Sequence, residues 1–291
     1  DYLIPMRKPV LTIFYQFDPG KPSIGGIQTV IRSFIKYAPS EFEVRLVGIS
    51  NQPNLPKGKW QKVKLAGREI DFLPLFTLLN DNFRSLVPTT IKYTAALLRQ
   101  GLASDFMHFH RLEPALAALN WSGEKTLFVH NDIQKQMQSS DSKNAILWRY
   151  FPIGYFALER SLVNQFAQIF ACNTNSVKHY QQSYPSIAER VFYIKNEGLP
   201  LVALEALACG TPVVTTSCGE TPKLLDVHSG IVCQERNSQA IADALKEVLT
   251  HPENYPIEAC VRVTEPYSAK AIVSSVYRNM LSRWQMKLNY V

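Results

Sequence analysis

Two carboxylates interrupt an otherwise apolar stretch of the sequence, EGLPLVALEALACGTPVV at residues 197–214. Glu197 is followed by Gly198, whose missing side chain lets a ligand approach the backbone closely. Pro200 suits the first turn of a helix, because the N–H that proline lacks would be unpaired there anyway. Glu205 then falls in the middle of that helix, where an unpaired buried charge is costly. A helix N-terminus flanked by carboxylates suits a ligand that carries both phosphate and hydroxyl groups.

The elements around the two carboxylates follow from the same stretch. Residues 201–208 are apolar on every side except at Glu205, which predicts a helix that is buried all round. Gly210 is placed to end this helix in the left-handed conformation. The β-branched run at residues 211–216 predicts a buried strand. In this setting the two carboxylates either bind a ligand or form salt bridges within a βα unit.

A second group of residues suited to ligand binding lies near the start of the chain. The sequence predicts an apolar strand at residues 9–17 and a helix at residues 27–37. Gly25 and Gly26 end the loop between them, where backbone N–H groups could bind a phosphate, although Gly-Gly before a helix is often only a turn. Strand, glycine-containing loop and helix form the opening unit of a doubly wound sheet.

Three histidines belong to two further predicted strands. His130 lies at the carboxyl end of a buried strand at residues 125–132, the edge where open parallel sheets bind ligands. It either contacts a bound ligand or hydrogen-bonds within the protein. His108 and His110 share one face of a strand at residues 106–111. Two imidazoles need further ligands to hold a metal ion, and no carboxylate nearby in the sequence completes a set, so no metal site is predicted.

The remaining elements complete an α/β pattern. The last two helices are predicted at residues 238–250, with Ser238 as N-cap, and at residues 267–287. Residues 51–85 show no clear periodicity. The other predicted elements are strands at 42–50 and 190–196, a strand and turn at 167–176, and helices at 87–101, 114–120, 141–166 and 177–184.

The composition is that of a globular protein with a core. The chain has 291 residues, 46% of them hydrophobic and 19% charged, which is enough for two domains of ordinary size. The net charge of +7 includes one basic cluster at residues 57–68. This cluster is either a solvated edge strand, which we prefer, or a patch for anionic lipid or a phosphorylated acceptor. No nucleic-acid-binding motif accompanies the charge, so no nucleic-acid partner is expected.

Five scattered cysteines predict free thiols in a reducing cytoplasm. No signal peptide and no membrane-spanning apolar run is recognised in the sequence, so we expect any membrane contact to be peripheral.

Glu197 and Glu205 are separated by seven residues, and the string EGLPLVALEALACGTPVVTT resembles the E-x7-E motif of retaining GT-B glycosyltransferases, family 4 in particular. Gly210, Thr211 and Pro212 also match this motif. The resemblance implies an α/β fold of GT-B type, with two Rossmann-like doubly wound domains facing a cleft. It also implies transfer of a hexosyl-type sugar from a nucleotide-sugar donor, with retention of the anomeric configuration.

The resemblance further implies roles for individual residues. In the family the first Glu lies near the donor sugar and the second binds the ribose hydroxyls, and a histidine follows the strand that His130 follows here. The catalytic candidates are therefore His130 and Glu197. The chain contains no Asp-x-Asp pair, which fits a metal-independent mechanism without a cofactor. The donor-binding candidates are Gly25, Gly26, Gly198, Leu199, Pro200 and Glu205.

The sequence departs from the family pattern at one junction. Family members carry several further βα units before the E-x7-E motif, with an Arg and a Lys that neutralise the donor diphosphate, whereas here Asn196 directly precedes Glu197. Either the sequence omits a segment that the protein has, which we favour because both flanks match, or the protein lacks it. An omitted segment predicts a gap in the chain between these two residues. The expected domains are an N-terminal acceptor-side domain at 1–196, part of a nucleotide-sugar-binding domain at 197–266, and a terminal helix at 267–291 that returns to the first domain.

The sequence therefore predicts a glycosyltransferase that uses a nucleotide-sugar donor and a sugar or lipid-linked acceptor, in the synthesis of a surface glycan or glycolipid. We expect it in the cytoplasm, with the inner face of the membrane as a peripheral site of contact. The alternative is a non-catalytic nucleotide- or sugar-binding or interaction module derived from this fold. The junction at Glu197 favours that alternative, as do Glu220 and Lys223, which replace a Gly and a Glu of the family pattern.

Overall fold

The computed structural model describes residues 7–21, 26–78, 88–130, 152–194, 201–219 and 221–289. The chain divides into two compact units. One consists of Asp1–Ile194 together with Val273–Val291, and the other of Lys195–Ile272. The predicted junction between Asn196 and Glu197 lies outside the described residues.

The first unit is built on a sheet with eight described strands. They are β1 (Val10–Phe14), β2 (Glu43–Ser50), β3 (Gln61–Leu65), β4 (Arg68–Thr77), β5 (Phe106–Phe109), β6 (Glu124–Val129), β7 (Phe166–Ala171) and β8 (Val191–Tyr193). Their order across the sheet is β3-β4-β2-β1-β5-β6-β7-β8. The neighbouring strands pair in parallel except for β3, which is antiparallel to β4. This is the doubly wound α/β topology that the strand–loop–helix pattern predicts.

The helices of the first unit connect these strands. They are α1 (Gly26–Lys36), α2 (Thr89–Leu97), α3 (Pro152–Leu162) and α4 (Thr174–Ser183). The short helix predicted at residues 114–120 is instead a 3-10 helix at Glu113–Ala118. The terminal helix α8 (Ala269–Asn289) belongs to the first unit from Val273 onward.

The core of the first unit lies on both sides of the central strands β1 and β5. Phe14 of β1 stacks on Phe109 of β5, with ring centroids 4.8 Å apart, and both side chains are fully buried. Leu11 and Ile13 lie on the face of β1 opposite Phe14 and are equally buried. A central parallel strand is covered on both faces, which is why its sequence is a continuous apolar run.

The segment without clear periodicity contains a β-hairpin. β3 and β4 are joined by Ala66 and Gly67, which both have positive φ angles, 51° and 79°. Two positive φ angles in a two-residue turn match the right-handed twist of paired strands, and the usual sequence for such a turn is Asn-Gly or Asp-Gly. Ala66 occupies the first of these positions here, so the hairpin has no recognisable turn signal in the sequence.

The second unit contains a smaller sheet whose two described strands, β9 (Val213–Thr216) and β10 (Gly230–Cys233), are parallel. Its helices are α5 (Leu201–Ala208), α6 (Ser238–Thr250) and α7 (Ile257–Thr264). The predicted bounds of α6 agree with the structure, but its N-cap is Asn237 rather than Ser238. The Asn237 side chain accepts a hydrogen bond from the backbone N–H of Ala240 at 2.8 Å.

The prediction that α5 is buried all round is wrong. Leu204 and Leu207 pack with Leu224 and Cys260 on one side of the helix, whereas Val202 is 73% exposed. Residues three or four apart share one face of a helix, so a neighbour on one side covers only one such face. Similarly, β9 is half-buried along its length rather than buried.

The carboxyl end of α5 follows the sequence prediction closely. Gly210 has a φ of 79°, the left-handed conformation expected of a residue that ends a helix. Its N–H bonds to the carbonyl of Leu207 at 2.9 Å, and the N–H of Thr211 bonds to that of Ala206 at 2.8 Å. These are the two hydrogen bonds of a Schellman motif.

Candidate functional site

The strand order of the first unit creates a topological switch point at β1. From β1 the chain passes to β2 on one side, and later to β5 on the other. Open α/β sheets bind ligands outside the carboxyl ends of the strands at such a point. The residues that follow β1, β5, β6 and β7 are therefore the candidates for a site in this unit.

The loop after β1 is held by Asp18, a residue that the sequence does not single out. Its carboxylate is buried and accepts hydrogen bonds from the backbone N–H groups of Gly20 at 2.8 Å and Asn51 at 2.7 Å. Asp18 thereby ties the loop that leads to α1 to the carboxyl end of β2.

The helix α1 begins at Gly26, as the Gly-Gly pattern indicates, whereas Gly25 lies outside the described residues. Among the described residues, no atom lies within 4 Å of a Cβ atom added to Gly26. The described part of the protein thus leaves open space in front of this backbone, which is the condition for a ligand to approach it closely.

His130 directly follows β6 and is half-buried at the carboxyl edge of the sheet. Its Nε2 lies 2.8 Å from Nδ1 of His110, which directly follows β5, and the two ring planes are 16° apart. The sequence places His108 and His110 on one face but does not predict that His110 bonds to His130. This pairing depends on β5 and β6 being neighbours in the sheet.

The backbone carbonyl of His130 also accepts a hydrogen bond from the residue that follows the neighbouring strand β7. The thiol of Cys172, which follows β7, donates to the carbonyl of His130 at 2.8 Å. Asn173 then caps α4 by accepting a hydrogen bond from the backbone N–H of Ser176 at 2.7 Å. Neither Cys172 nor Asn173 is a candidate from the sequence, although an Asn that precedes a predicted helix is a usable N-cap signal.

Burial keeps two histidines neutral, His108 within β5 and His110 directly after it. The pKa of His110 is well below its usual value because the ring is desolvated and lies near His130 and His108. Burial lowers the pKa of His108 to about 3, with a contribution from Arg283. His108 contacts Phe34 and Phe128 with ring centroids 5.0 and 4.9 Å away. These contacts are those of a core side chain.

Metal ligands are not grouped in the part of the chain that the structure describes. Within it, no three His, Cys, Asp or Glu side chains come close enough together to hold an ion. All five cysteines lie in the described residues, and none of them forms a disulfide there. The described residues also include no helix that is both long and apolar enough to cross a bilayer.

In the second unit, Glu205 is exposed on α5, so the prediction that it sits in a buried apolar environment is wrong. The neighbouring apolar residues in the sequence pack on the other face of the helix, through Leu204 and Leu207. The carboxylate does not need a partner to offset burial, and it is accessible to a ligand. The other candidates of this unit, Glu197, Gly198, Leu199 and Pro200, lie outside the described residues.

One segment of this chain matches a known protein family. Residues 173–251 match the family described as Glycosyl transferases group 1. This range includes Glu197, Glu205 and Gly210, the residues of the E-x7-E resemblance. The match and the relatives below support the predicted glycosyltransferase of GT-B type.

Curated relatives are similar over short segments. An uncharacterized glycosyltransferase of Haemophilus influenzae is 34% identical over 88 residues, which are 30% of this chain and 24% of that protein. D-inositol 3-phosphate glycosyltransferase of Saccharomonospora viridis is 46% identical over 59 residues, 20% of this chain and 14% of that protein. GDP-mannose-dependent alpha-(1-6)-phosphatidylinositol dimannoside mannosyltransferase of Mycobacterium tuberculosis is 30% identical over 81 residues, 28% and 21% of the two chains. The matched part of this chain thus spans at most 24% of the length of these relatives.

Solved structures agree with the chain over most of its length. Sucrose-phosphate synthase from Thermosynechococcus elongatus has a TM-score of 0.57 at 12% identity, covering 98% of this chain and all of that one. Anabaena HepE, solved in complex with UDP and glucose, has a TM-score of 0.52 at 12% identity, covering 96% of this chain and all of that one. At this identity the likeness concerns the fold, and it confirms the predicted α/β fold of GT-B type.

Proposed function

We propose that the protein transfers a hexosyl sugar from a nucleotide-sugar donor to an acceptor with retention of the anomeric configuration, as a family 4 glycosyltransferase. The family match at residues 173–251 supports the transferase part of the proposal. The E-x7-E resemblance at Glu197 and Glu205 supports retention and family 4. The acceptor class that we propose is a sugar or lipid-linked sugar. The proposed location is the cytoplasm, with peripheral contact at the membrane.

The observation that carries the proposal is the position of Glu205. It lies within the matched range, on the exposed face of α5, while Leu204 and Leu207 hold the opposite face against the rest of the second unit. An ionised carboxylate only accepts hydrogen bonds, and its two oxygens can accept from both hydroxyls of a ribose. The helix can present this group without any repacking of its buried side.

The chemistry requires groups that stabilise a departing diphosphate and a positively charged sugar. In our proposal the backbone N–H groups at Gly25 and Gly26 lie near a phosphate, and the open space before Gly26 is compatible with that. We also propose that Gly198, Leu199 and Pro200, which precede α5 in the sequence, contribute to donor binding. His130 and Glu197 contact the donor sugar. No metal ion takes part in this mechanism, which agrees with the absence of an Asp-x-Asp pair from the sequence.

The proposal is tested by calorimetry with nucleoside diphosphates. UDP is titrated first, because UDP is bound in the HepE structure, and GDP and ADP follow. We expect one of them to bind, and we expect Glu205→Gln to weaken that binding by roughly 1–3 kcal/mol, the usual scale for a hydrogen bond to a charged group. This corresponds to an increase in Kd of about 5- to 150-fold.

Glu258→Gln is the matched control, since Glu258 is also an exposed helix carboxylate of the second unit. It removes the same charge and should leave the Kd unchanged. If Glu205→Gln and Glu258→Gln bind the nucleotide as tightly as the parent protein, Glu205 does not hold the ribose. If nucleotide binds but no donor sugar is transferred or hydrolysed, the non-catalytic binding module explains the protein better.

A further inference from the structure

His110 is a buried polar neighbour of His130. It directly follows β5 with 2% of its surface exposed, and its ring stacks on Phe128 with centroids 4.7 Å apart and planes 10° apart. The stack fixes the plane of the ring, and in this plane Nδ1 lies 2.8 Å from Nε2 of His130. His110 is therefore held by packing on one face and by this hydrogen bond at its edge.

The direction of this hydrogen bond follows from the other nitrogen of His110. Within the described residues, Nε2 of His110 is buried and has no hydrogen-bond partner. A neutral imidazole carries one N–H, and burial keeps His110 neutral by lowering its pKa. If Nδ1 accepted the bond, the proton would sit on Nε2, where no described group accepts it. A buried N–H without an acceptor is rarer and costlier than a buried lone pair without a donor.

We infer that His110 is a positioning residue, which donates its Nδ1–H to Nε2 of His130 and so fixes His130 as the tautomer that carries its proton on Nδ1. The hydrogen bond made by one imidazole nitrogen sets the protonation of the other. Nδ1 of His130 is then a donor, and the group it contacts must be an acceptor, such as a sugar hydroxyl oxygen or a phosphate oxygen. The tautomer is independent of the proposed function, whereas its use toward a donor sugar rests on that function.

The tautomer can be measured directly by NMR on the whole protein labelled with 15N-histidine. Two-bond proton–nitrogen correlations distinguish a protonated Nδ1 from a protonated Nε2 in each ring. We expect His130 to show a protonated Nδ1 and a bare Nε2 at neutral pH, without any substrate present. A protonated Nε2 in His130 of the parent protein would overturn the inference before any variant is made.

Three variants test whether His110 is the cause. His110→Phe keeps a planar ring on Phe128 but removes the donor, so His130 should shift toward the Nε2–H tautomer that free histidine prefers. His110→Asn places an amide N–H near the position of Nδ1 and should restore the parent pattern. His108→Phe is the matched control, because His108 is equally buried one step earlier on the same strand face and makes no hydrogen bond within the described residues. An unchanged His130 spectrum in a folded His110→Phe protein contradicts the inference.

Kinetics separate this inference from the proposed function. If the protein transfers sugar, His110→Phe should lower kcat roughly tenfold, the scale of one hydrogen bond, with the nucleotide Kd unchanged. If no donor is turned over by the parent protein, the proposed function fails, but the NMR result still decides the tautomer. A normal kcat together with an altered tautomer would show that the tautomer of His130 has no role in turnover.

Discussion

At the scale of single residues, the role of the His130 imidazole can be tested by removing the ring in a variant that is shown to be folded. It is half-buried after β6, and its backbone carbonyl is held by Cys172 independently of the ring. We predict that His130→Ala lowers kcat by at least about tenfold, because a group near the reacting sugar acts mainly in the transition state. Nucleotide affinity should change by less than about threefold, since the proposed function assigns the ribose and diphosphate to other residues.

Steady-state kinetics and calorimetry on the same preparation measure both quantities. His179→Ala is the control, because His179 is a histidine of the same unit that pairs with Glu159 away from the sheet edge. Equal turnover in His130→Ala and the parent protein would assign His130 to hydrogen bonding within the protein. A large loss of nucleotide affinity would instead place it at the nucleotide.

At the scale of helices and strands, the packing at the carboxyl end of α5 holds the helix that carries Glu205. Gly210 has a positive φ, and a Cβ atom there would lie 2.5 Å from Cγ2 of Ile257 on α7. We predict that Gly210→Ala destabilises the second unit by about 2–4 kcal/mol, from the left-handed conformation and the collision together. Amide hydrogen exchange of α5 and α7 measures this loss locally.

Gly219→Ala separates the two causes. Gly219 also has a positive φ, 69°, but no atom of the described residues lies within 4 Å of an added Cβ. Gly219→Ala should therefore destabilise the second unit only through the left-handed backbone conformation, by roughly 1–2 kcal/mol. If Gly210→Ala destabilises the second unit no more than Gly219→Ala does, then α7 shifts to accommodate the added Cβ atom without a measurable loss of stability. In that case the contact between α5 and α7 does not fix the end of α5.

At the scale of the whole chain, the terminal helix is joined to the start of the chain. Tyr277 is buried, and its hydroxyl donates to the carbonyl of Phe34 at 2.9 Å, across 243 positions in the sequence. Arg283 of the same helix pairs with Glu124 of β6 at 2.7 Å. The first unit is therefore completed only when the last helix is present.

We predict that Tyr277→Phe lowers the free energy of unfolding of the first unit by about 0.5–1.5 kcal/mol, the net value of a typical hydrogen bond. Urea unfolding followed by tryptophan fluorescence measures it, since all four tryptophans lie in the first unit. The control variant Tyr37→Phe removes a hydroxyl from a half-buried position and should lower the free energy of unfolding by less. Equal losses in the two variants would mean that the bond to Phe34 contributes nothing specific.

Much of the local structure could be predicted from the sequence, because it depends on interactions over a few residues. The apolar run of β1, the helix that begins at Gly26 and the Schellman end at Gly210 each follow from residue types at short spacing. The E-x7-E segment was recognised by its resemblance to a family motif, and it lies within residues 173–251, which match the family described as Glycosyl transferases group 1. The hairpin at Ala66 escaped prediction, since a positive φ at Ala depends on the strands that it joins.

Only the tertiary structure decided which distant segments of the chain contact each other. The sequence determined an α/β chain with ligand-binding candidates at Gly26, His130 and Glu205, because hydropathy and motifs are local properties. It did not determine that His110 bonds to His130, since this requires β5 and β6 to be adjacent in the sheet. Nor did it determine that Glu205 is exposed, because the exposed face of a helix depends on what packs against the other face.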